Sequence, residues 1–88
     1  MENSFVSYMM QISGLSPEAV GQRLRVVREA RRMSQTDLAR VTELSRKTVS
    51  EYERGEYSNL VKRLPNMGRI AAALEVTLPD LLGIDSVK

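Results

Sequence analysis

Hydrophobic positions recur every three or four residues along this chain, in short runs broken by caps and turns. Phe5, Tyr8, Met9, Ile12 and Leu15 fall at helical spacing, which predicts a short amphipathic helix over 4–13, ended by Gly14. Ser16-Pro17-Glu18 reads as a helix start: Ser as the cap, Pro at the first helical position, Glu near the positive end. That helix is expected over 17–32, with Val20, Leu24 and Val27 inward and Arg23, Arg25, Arg31 and Arg32 pointing elsewhere. Ser34-Gln35-Thr36-Asp37 is a capping box with Asp in place of the usual Glu. It opens a helix over 35–42, with Leu38 and Ala39 inward. Ser45 caps the next, 46–54, with Val49 and Tyr52 inward and Gly55 ready to close it. After a loop over 56–64, Pro65 is expected to start a helix over 65–74 that offers Met67, Ile70, Ala71 and Leu74 to the core. Thr77-Leu78-Pro79-Asp80 caps a last turn, 78–82, which Gly83 ends. Nothing alternates as a strand would. The expected fold class is all-α, a compact bundle of about five short helices with an extra helix at the N-terminus.

Composition narrows the chemistry. The 88 residues are enough for one small domain, and they include no Cys and no His. Without them there is no disulfide, no thiol nucleophile, no imidazole base and no His/Cys metal site. The remaining carboxylates, serines and lysines form no pairing at a catalytic spacing, so neither an enzyme nor a cofactor is expected. The longest fully apolar run, Ile70 to Leu74, is far short of the roughly 20 residues that a membrane span needs. Residues 1–15 make a poor signal peptide, because Glu2 stands where basic residues belong. The expected location is the cytoplasm.

Charge is unevenly distributed. Net charge is +2, yet residues 21–69 carry 12 Lys or Arg against 6 Asp or Glu. A basic middle between acidic ends points to a polyanionic partner. The other reading of so many arginines is a well-solvated helical surface.

The helices 35–42 and 46–54 are separated by only three residues, which forces a sharp crossing as in a helix-turn-helix. Ala39 lets the second helix cross close by, and Leu38, Leu44, Val49 and Tyr52 seal the corner. Arg46, Lys47, Ser50, Glu51 and Arg54 then share an outward face that fits the DNA major groove, N-terminus first. Arg46 and Lys47 sit at the positive end of the helix dipole, where cations are disfavoured by ~0.3–1 kcal/mol each. DNA phosphate and base edges would offset that cost.

Gln35-Thr36-Asp37-Leu38-Ala39, Leu44-Ser45, Thr48-Val49-Ser50, Glu53-Arg54-Gly55, Ile70-Ala71 and Val76-Thr77-Leu78 with Leu81-Leu82 resemble the lambda-repressor/Cro type of helix-turn-helix, the Xre family. The resemblance covers about residues 18–83. It implies two parts: an N-terminal arm or extra helix, 1–15, and a helix-turn-helix domain with a short C-terminal tail, 16–88. It implies that Gln35 reaches the DNA backbone with Ser34 beside it. Arg46, Lys47 and Glu51 match positions that touch base edges, flanked by Ser45, Thr48 and Ser50, and Arg54 matches a phosphate contact. Arg28 and Glu53 match a family ion pair, structural rather than DNA-reading. The implied function is a sequence-specific regulator of transcription, bacterial or phage-encoded and most simply a repressor. It would bind a palindromic operator with G·C pairs in each half-site as a homodimer. The alternative is an antitoxin or adaptor module whose ligand is a partner protein bound through the N-terminal segment.

Three departures stand out. Glu43 occupies the turn where the family usually has Gly, at a cost of ~1 kcal/mol if the backbone there is left-handed. Thr42 replaces a usual apolar residue. The loop 56–64 is about three residues longer than usual. Tyr57, Lys62 and Arg63 could meet phosphate from it, or Leu60 and Val61 could pin it to the core. The N-terminal segment is expected to pack as an extra helix on its own monomer; the other reading makes Phe5, Tyr8 and Met9 a dimer contact, and Leu78, Leu81, Leu82 and Ile84 near the C-terminus are a second dimer candidate.

Overall fold

The structure, a computed structural model, describes residues 4–84, without the side chains of Ser4, Phe5, Tyr8 and Met9. The expected all-α fold is observed: six helices, and no strand among the described residues. They are α1 (Ser4–Ser13), α2 (Pro17–Ala30), α3 (Gln35–Thr42), α4 (Arg46–Glu53), α5 (Leu60–Ala73) and α6 (Leu78–Leu82). None is long and apolar enough to cross a membrane.

The starts follow the caps in the sequence. The hydroxyls of Ser16, Ser34, Ser45 and Thr77 accept the backbone N–H groups of Ala19, Asp37, Thr48 and Asp80 respectively. The capping box is complete: Asp37 N–H donates to the Ser34 hydroxyl at 2.9 Å, and Ser34 N–H donates back to the Asp37 carboxylate at 3.2 Å. Hydrogen bonding to the carboxylate from Ser34, first from its backbone N–H and then from its side chain, holds the Asp37 carboxyl below its ordinary range.

The ends share one device. After α2, α3, α4, α5 and α6 the chain turns left-handed, at Arg32, Glu43, Gly55, Glu75 and Gly83. The next N–H in each case reaches back to a carbonyl five residues earlier, as in Leu44 to Ala39 at 3.0 Å and Val76 to Ala71 at 3.0 Å. Only two of the five positions are glycine. At Gly55 the glycine serves a second purpose, since a Cβ there would lie 2.8 Å from the backbone nitrogen of Glu18.

Four boundaries differ from expectation: α4 and α5 each end one residue early, at Glu53 and Ala73, and two differences are larger. α2 stops at Ala30 because Arg31 and Arg32 form the turn. α5 begins at Leu60, five residues before Pro65, so the proline lies inside the helix rather than at its start. Asn59 enters α5 in a left-handed conformation without a side-chain cap. Buried Leu60 anchors the first turn instead, while Pro65 forgoes the bond to the Val61 carbonyl.

The core joins Val20 and Leu24 of α2, Leu38 and Ala39 of α3, Val49 and Tyr52 of α4, and Met67, Ile70 and Ala71 of α5. Leu74, Leu81 and Leu82 complete it, and Ile12 docks α1 onto α5. Gly21 sets how closely α2 approaches α4: a Cβ there would lie 2.8 Å from the Glu53 carbonyl carbon. Leu81 and Leu82 are 0% and 2% exposed, so they serve their own core and not the C-terminal dimer surface expected above. For the N-terminal candidate, the side chains of Phe5, Tyr8 and Met9 lie outside the described residues.

Candidate functional site

Thr42, Glu43, Leu44 and Ser45 carry the chain from α3 into α4. The turn keeps its left-handed residue, Glu43 at φ 60° and ψ 30°, although the residue is not glycine. Thr42 is buried, and its hydroxyl donates to the carbonyls of Leu38 at 2.7 Å and Ala39 at 3.2 Å. A polar side chain therefore substitutes for an apolar one here because its own helix satisfies it. Neither departure disturbs the corner: Ala39, Val49 and Tyr52 are buried and Leu44 is half-buried against them.

The outward face of α4 carries Arg46, Lys47 and Arg54, all exposed, with Ser50 and Glu51 half-buried between them. Among the described residues, Arg46 and Lys47 make no ion pair, whereas Arg25, Arg28, Arg40 and Arg54 each do. Arg54 donates to the Ser50 hydroxyl and pairs with Glu56 at 2.9 Å. Its guanidinium holds the Glu56 carboxyl below the usual range. Ser45 has a structural duty besides any contact with a ligand: its hydroxyl caps α4 and donates to the Thr48 hydroxyl at 2.9 Å.

Behind this face lies the Arg28–Glu53 pair. Arg28 Nε and Nη2 donate to the two Glu53 oxygens at 2.5 Å and 3.0 Å. The side chains are 10% and 4% exposed. The fork raises the Arg28 pKa above its ordinary value, chiefly through the hydrogen bond to Glu53. A third bond, Arg28 Nη1 to the Met33 carbonyl at 2.7 Å, fixes the turn between α2 and α3. The pair read from the sequence is thus present, and it does more than join two helices. Glu53 Oε1 also accepts the side-chain amide of Gln35 at 3.0 Å. Gln35 is half-buried at the start of α3, beside exposed Ser34, with its orientation set from below. No pattern in the sequence announces this link, since Gln35 and Glu53 are 18 residues apart.

The loop before α5 packs onto α4. The Tyr57 ring meets Tyr52 edge-on, centroids 5.5 Å apart, and burial raises the Tyr57 pKa. Asn66 donates to the Tyr52 hydroxyl at 2.8 Å. Leu60 is pinned to the core, but Val61 is 38% exposed and Lys62 is exposed as well. Arg63 is half-buried with a buried Nε that has no hydrogen-bond partner among the described residues.

A short helix laid across another, polar on its outer face and basic at its N-terminus, defines a helix-turn-helix DNA-binding domain. Comparison with known proteins identifies which one. The model of the Cro/C1-type helix-turn-helix DNA-binding domain matches residues 23–86, and the chain belongs to that family. Among solved structures, it is similar to the restriction-modification controller protein C.AhdI from Aeromonas hydrophila. That match has 35% identity and a TM-score of 0.68, covering 74% of this chain and 94% of the other. It is also similar to the hypothetical transcription factor NHTF from Neisseria, at 33% identity and a TM-score of 0.68, covering 76% of this chain and 74% of the other. A search of curated protein sequences gives no match. The chain is a DNA-binding transcription regulator.

Proposed function

We propose that this regulator is a repressor that binds a palindromic, G·C-containing operator as a homodimer, with α4 of each copy in the major groove. One observation carries the reading. The two cations at the positive end of α4, Arg46 and Lys47, are exposed and without an ion pair among the described residues. A helix that needed only stability would place acids there. Arg46 and Lys47 donate to guanine O6 and N7, and Glu51 accepts from cytosine N4. Each good base contact discriminates by ~1–3 kcal/mol. Ser50 and Thr48 flank the base readers, and Ser34, Gln35, Ser45 and Arg54 meet the phosphates on either side. Two copies on half-sites about 34 Å apart double the interface and require a palindrome. Occupation of such a site blocks transcription. The similarity to a controller protein of a restriction-modification system supports control of transcription as the role. Such a regulator acts where bacterial or phage DNA is transcribed, in the cytoplasm.

The test is selection from a random duplex library at physiological salt, with Arg46→Ala/Lys47→Ala in parallel. The expected result is a palindrome with G·C pairs that the variant no longer enriches. A library from which the protein enriches nothing, or an enriched site that the variant selects equally well, overturns the proposal. A protein partner bound by the N-terminal segment then becomes the reading to pursue.

A further inference from the structure

Between α4, the loop after it and the start of α5 lies a pocket of about 230 Å³. Glu51 of α4, Glu56 and Tyr57 of the loop, and Arg63 and Asn66 of α5 are among its walls. Arg63 is placed there because α5 begins at Leu60, ahead of Pro65. Three of these side chains have unused capacity. Tyr57 Oη and Arg63 Nε are buried and have no hydrogen-bond partner among the described residues. Glu51 is half-buried and makes no ion pair among them. Arg54 feels the Glu51 charge, but its own bonds go to Ser50 and Glu56. Opposite charges, Glu51 and Arg63, thus line one small pocket without pairing with each other.

We propose that this pocket binds a small zwitterion of the free amino-acid class, its carboxylate on Arg63 and Tyr57 and its ammonium on Glu51. Charge selects the ligand. Glu56 is balanced by Arg54 at 2.9 Å, so the wall charges left over are one negative, Glu51, and one positive, Arg63. An anion alone meets Glu51 as a like charge, and a cation alone meets Arg63 as one. A molecule that carries both charges satisfies both walls. The guanidinium donates to a carboxylate as a fork, and the Tyr57 hydroxyl adds another donor. Asn66 gives its amide N–H to the Tyr52 hydroxyl at 2.8 Å, which leaves its carbonyl oxygen to accept from the ammonium. The volume is below the ~300–1,000 Å³ of sites for drug-sized ligands, so the side chain of the amino acid is small.

The site bears on DNA through Glu51. That residue is a base reader in the operator reading above, on which this step rests. A carboxylate held by an ammonium is withdrawn from cytosine N4, so the ligand and a G·C pair compete for it. The ligand therefore weakens operator binding, and by linkage the operator weakens ligand binding by the same factor. Occupation of the pocket itself needs no DNA and does not rest on that reading.

Titration of the full chain without DNA tests the site, with each common L-amino acid in turn up to millimolar concentration, followed by calorimetry and amide NMR shifts. Acetate and methylammonium are run beside them as the carboxylate and the amine alone. The variants are Arg63→Met and Glu51→Gln, with Lys62→Met as a control that removes a positive charge at an exposed neighbour outside the pocket. The expected result is saturable binding of one or more small amino acids, with shifts centred on the pocket walls. Acetate and methylammonium are expected to bind the wild type about tenfold or more less tightly than the amino acid does, each lacking one charge-assisted partner. Arg63→Met and Glu51→Gln lose affinity for the amino acid by a similar factor, and Lys62→Met binds it as the wild type does. Thermal melts close to wild type show that folding is not the cause. The proposal is overturned if no amino acid binds, as for a pocket that holds only water. It is also overturned if acetate or methylammonium binds as tightly as the amino acid, or if both pocket variants bind as the wild type does. Binding that behaves as expected, in a protein that selects no DNA motif, supports the site and removes the operator reading.

Discussion

Replacing Arg28 with Ala removes three hydrogen bonds at once. Two run to Glu53 at 2.5 Å and 3.0 Å, and one to the Met33 carbonyl at 2.7 Å. What remains is a carboxylate with a side chain 4% exposed and one described donor from another side chain, the Gln35 amide. Breaking one half of a buried pair costs ~3–5 kcal/mol, because the other charge stays desolvated. A chain of 88 residues has a total stability of about 4–13 kcal/mol. Arg28→Ala therefore removes a large share of the stability. At ~4–8 °C per kcal/mol for a domain of this size, the melting temperature falls by roughly 12–40 °C. Thermal and urea unfolding followed by circular dichroism measure this directly. The double variant Arg28→Met/Glu53→Met separates the orphaned charge from lost packing. It removes both charges at similar volume and is expected to be more stable than Arg28→Ala. An Arg28→Ala protein that melts within a few degrees of wild type would refute the reasoning. So would a double variant less stable than the single one, since the cost would then lie in packing or in the Met33 bond.

Glu43→Gly removes the left-handed strain at the α3–α4 turn and should raise stability by up to ~1 kcal/mol, offset in part by the greater freedom of glycine in the unfolded chain; a lower urea midpoint would contradict this. The same Gly→Ala change should have opposite signs at two helical sites. A methyl added at Gly68 in α5 meets nothing within 4 Å, so Gly68→Ala stabilises by ~0.5–1 kcal/mol, whereas Gly21→Ala pushes against the Glu53 backbone and destabilises. Equal signs in urea unfolding would show that the α2–α4 approach is not set by Gly21. The folded-state pKa of Asp37 lies below its unfolded value near 3.8, so its contribution is present above that value and is lost as pH falls through the folded one. Asp37→Asn should flatten this acid limb of the stability curve, and an unchanged limb would show that the capping box carries no proton linkage.

Much of this fold is legible in the sequence because its signals are local. A cap acts within three residues of its hydroxyl, and a helical stripe repeats within one turn. Ser16, Ser34, Ser45 and Thr77 therefore place four helix starts correctly, and Val49 and Tyr52 assign the inward face of α4. Pro65 misleads for the same reason. A proline is usually a start signal, and only the burial of Leu60 against distant side chains shows that α5 already has its first turn. Arg28 and Glu53 were legible through their place in a family pattern. Gln35 on Glu53, Arg23 on the Asp80 carbonyl at 2.7 Å and the fit of Gly21 under α4 were not, since each depends on how helices far apart in sequence finally cross.

The cations of the helix-turn-helix divide by the source of their partners. Arg28 finds its carboxylate in the interior, where a bidentate fork is well ordered and poorly screened. Arg40 finds one turn away, in Asp37, the acid that also completes the cap. Arg46 and Lys47 find none within the described protein, at the helix end where a bound anion gains most from the dipole. Arg54 stands between these cases. It is exposed and tied to Ser50 and Glu56, both of which are near in sequence. On the proposed operator reading, a DNA phosphate reaching Arg54 would displace Glu56, an exposed carboxylate with no other ion pair among the described residues. An exposed pair of this kind is strongly screened, so the exchange needs little reorganisation. The bonds to Ser50 and Glu56 tie Arg54 beside α4. The same three-dimensional corner thus uses one arginine to fold, leaves an arginine and a lysine without an ion pair among the described residues, and keeps one arginine on an exposed acid that, on the proposed operator reading, a phosphate would replace.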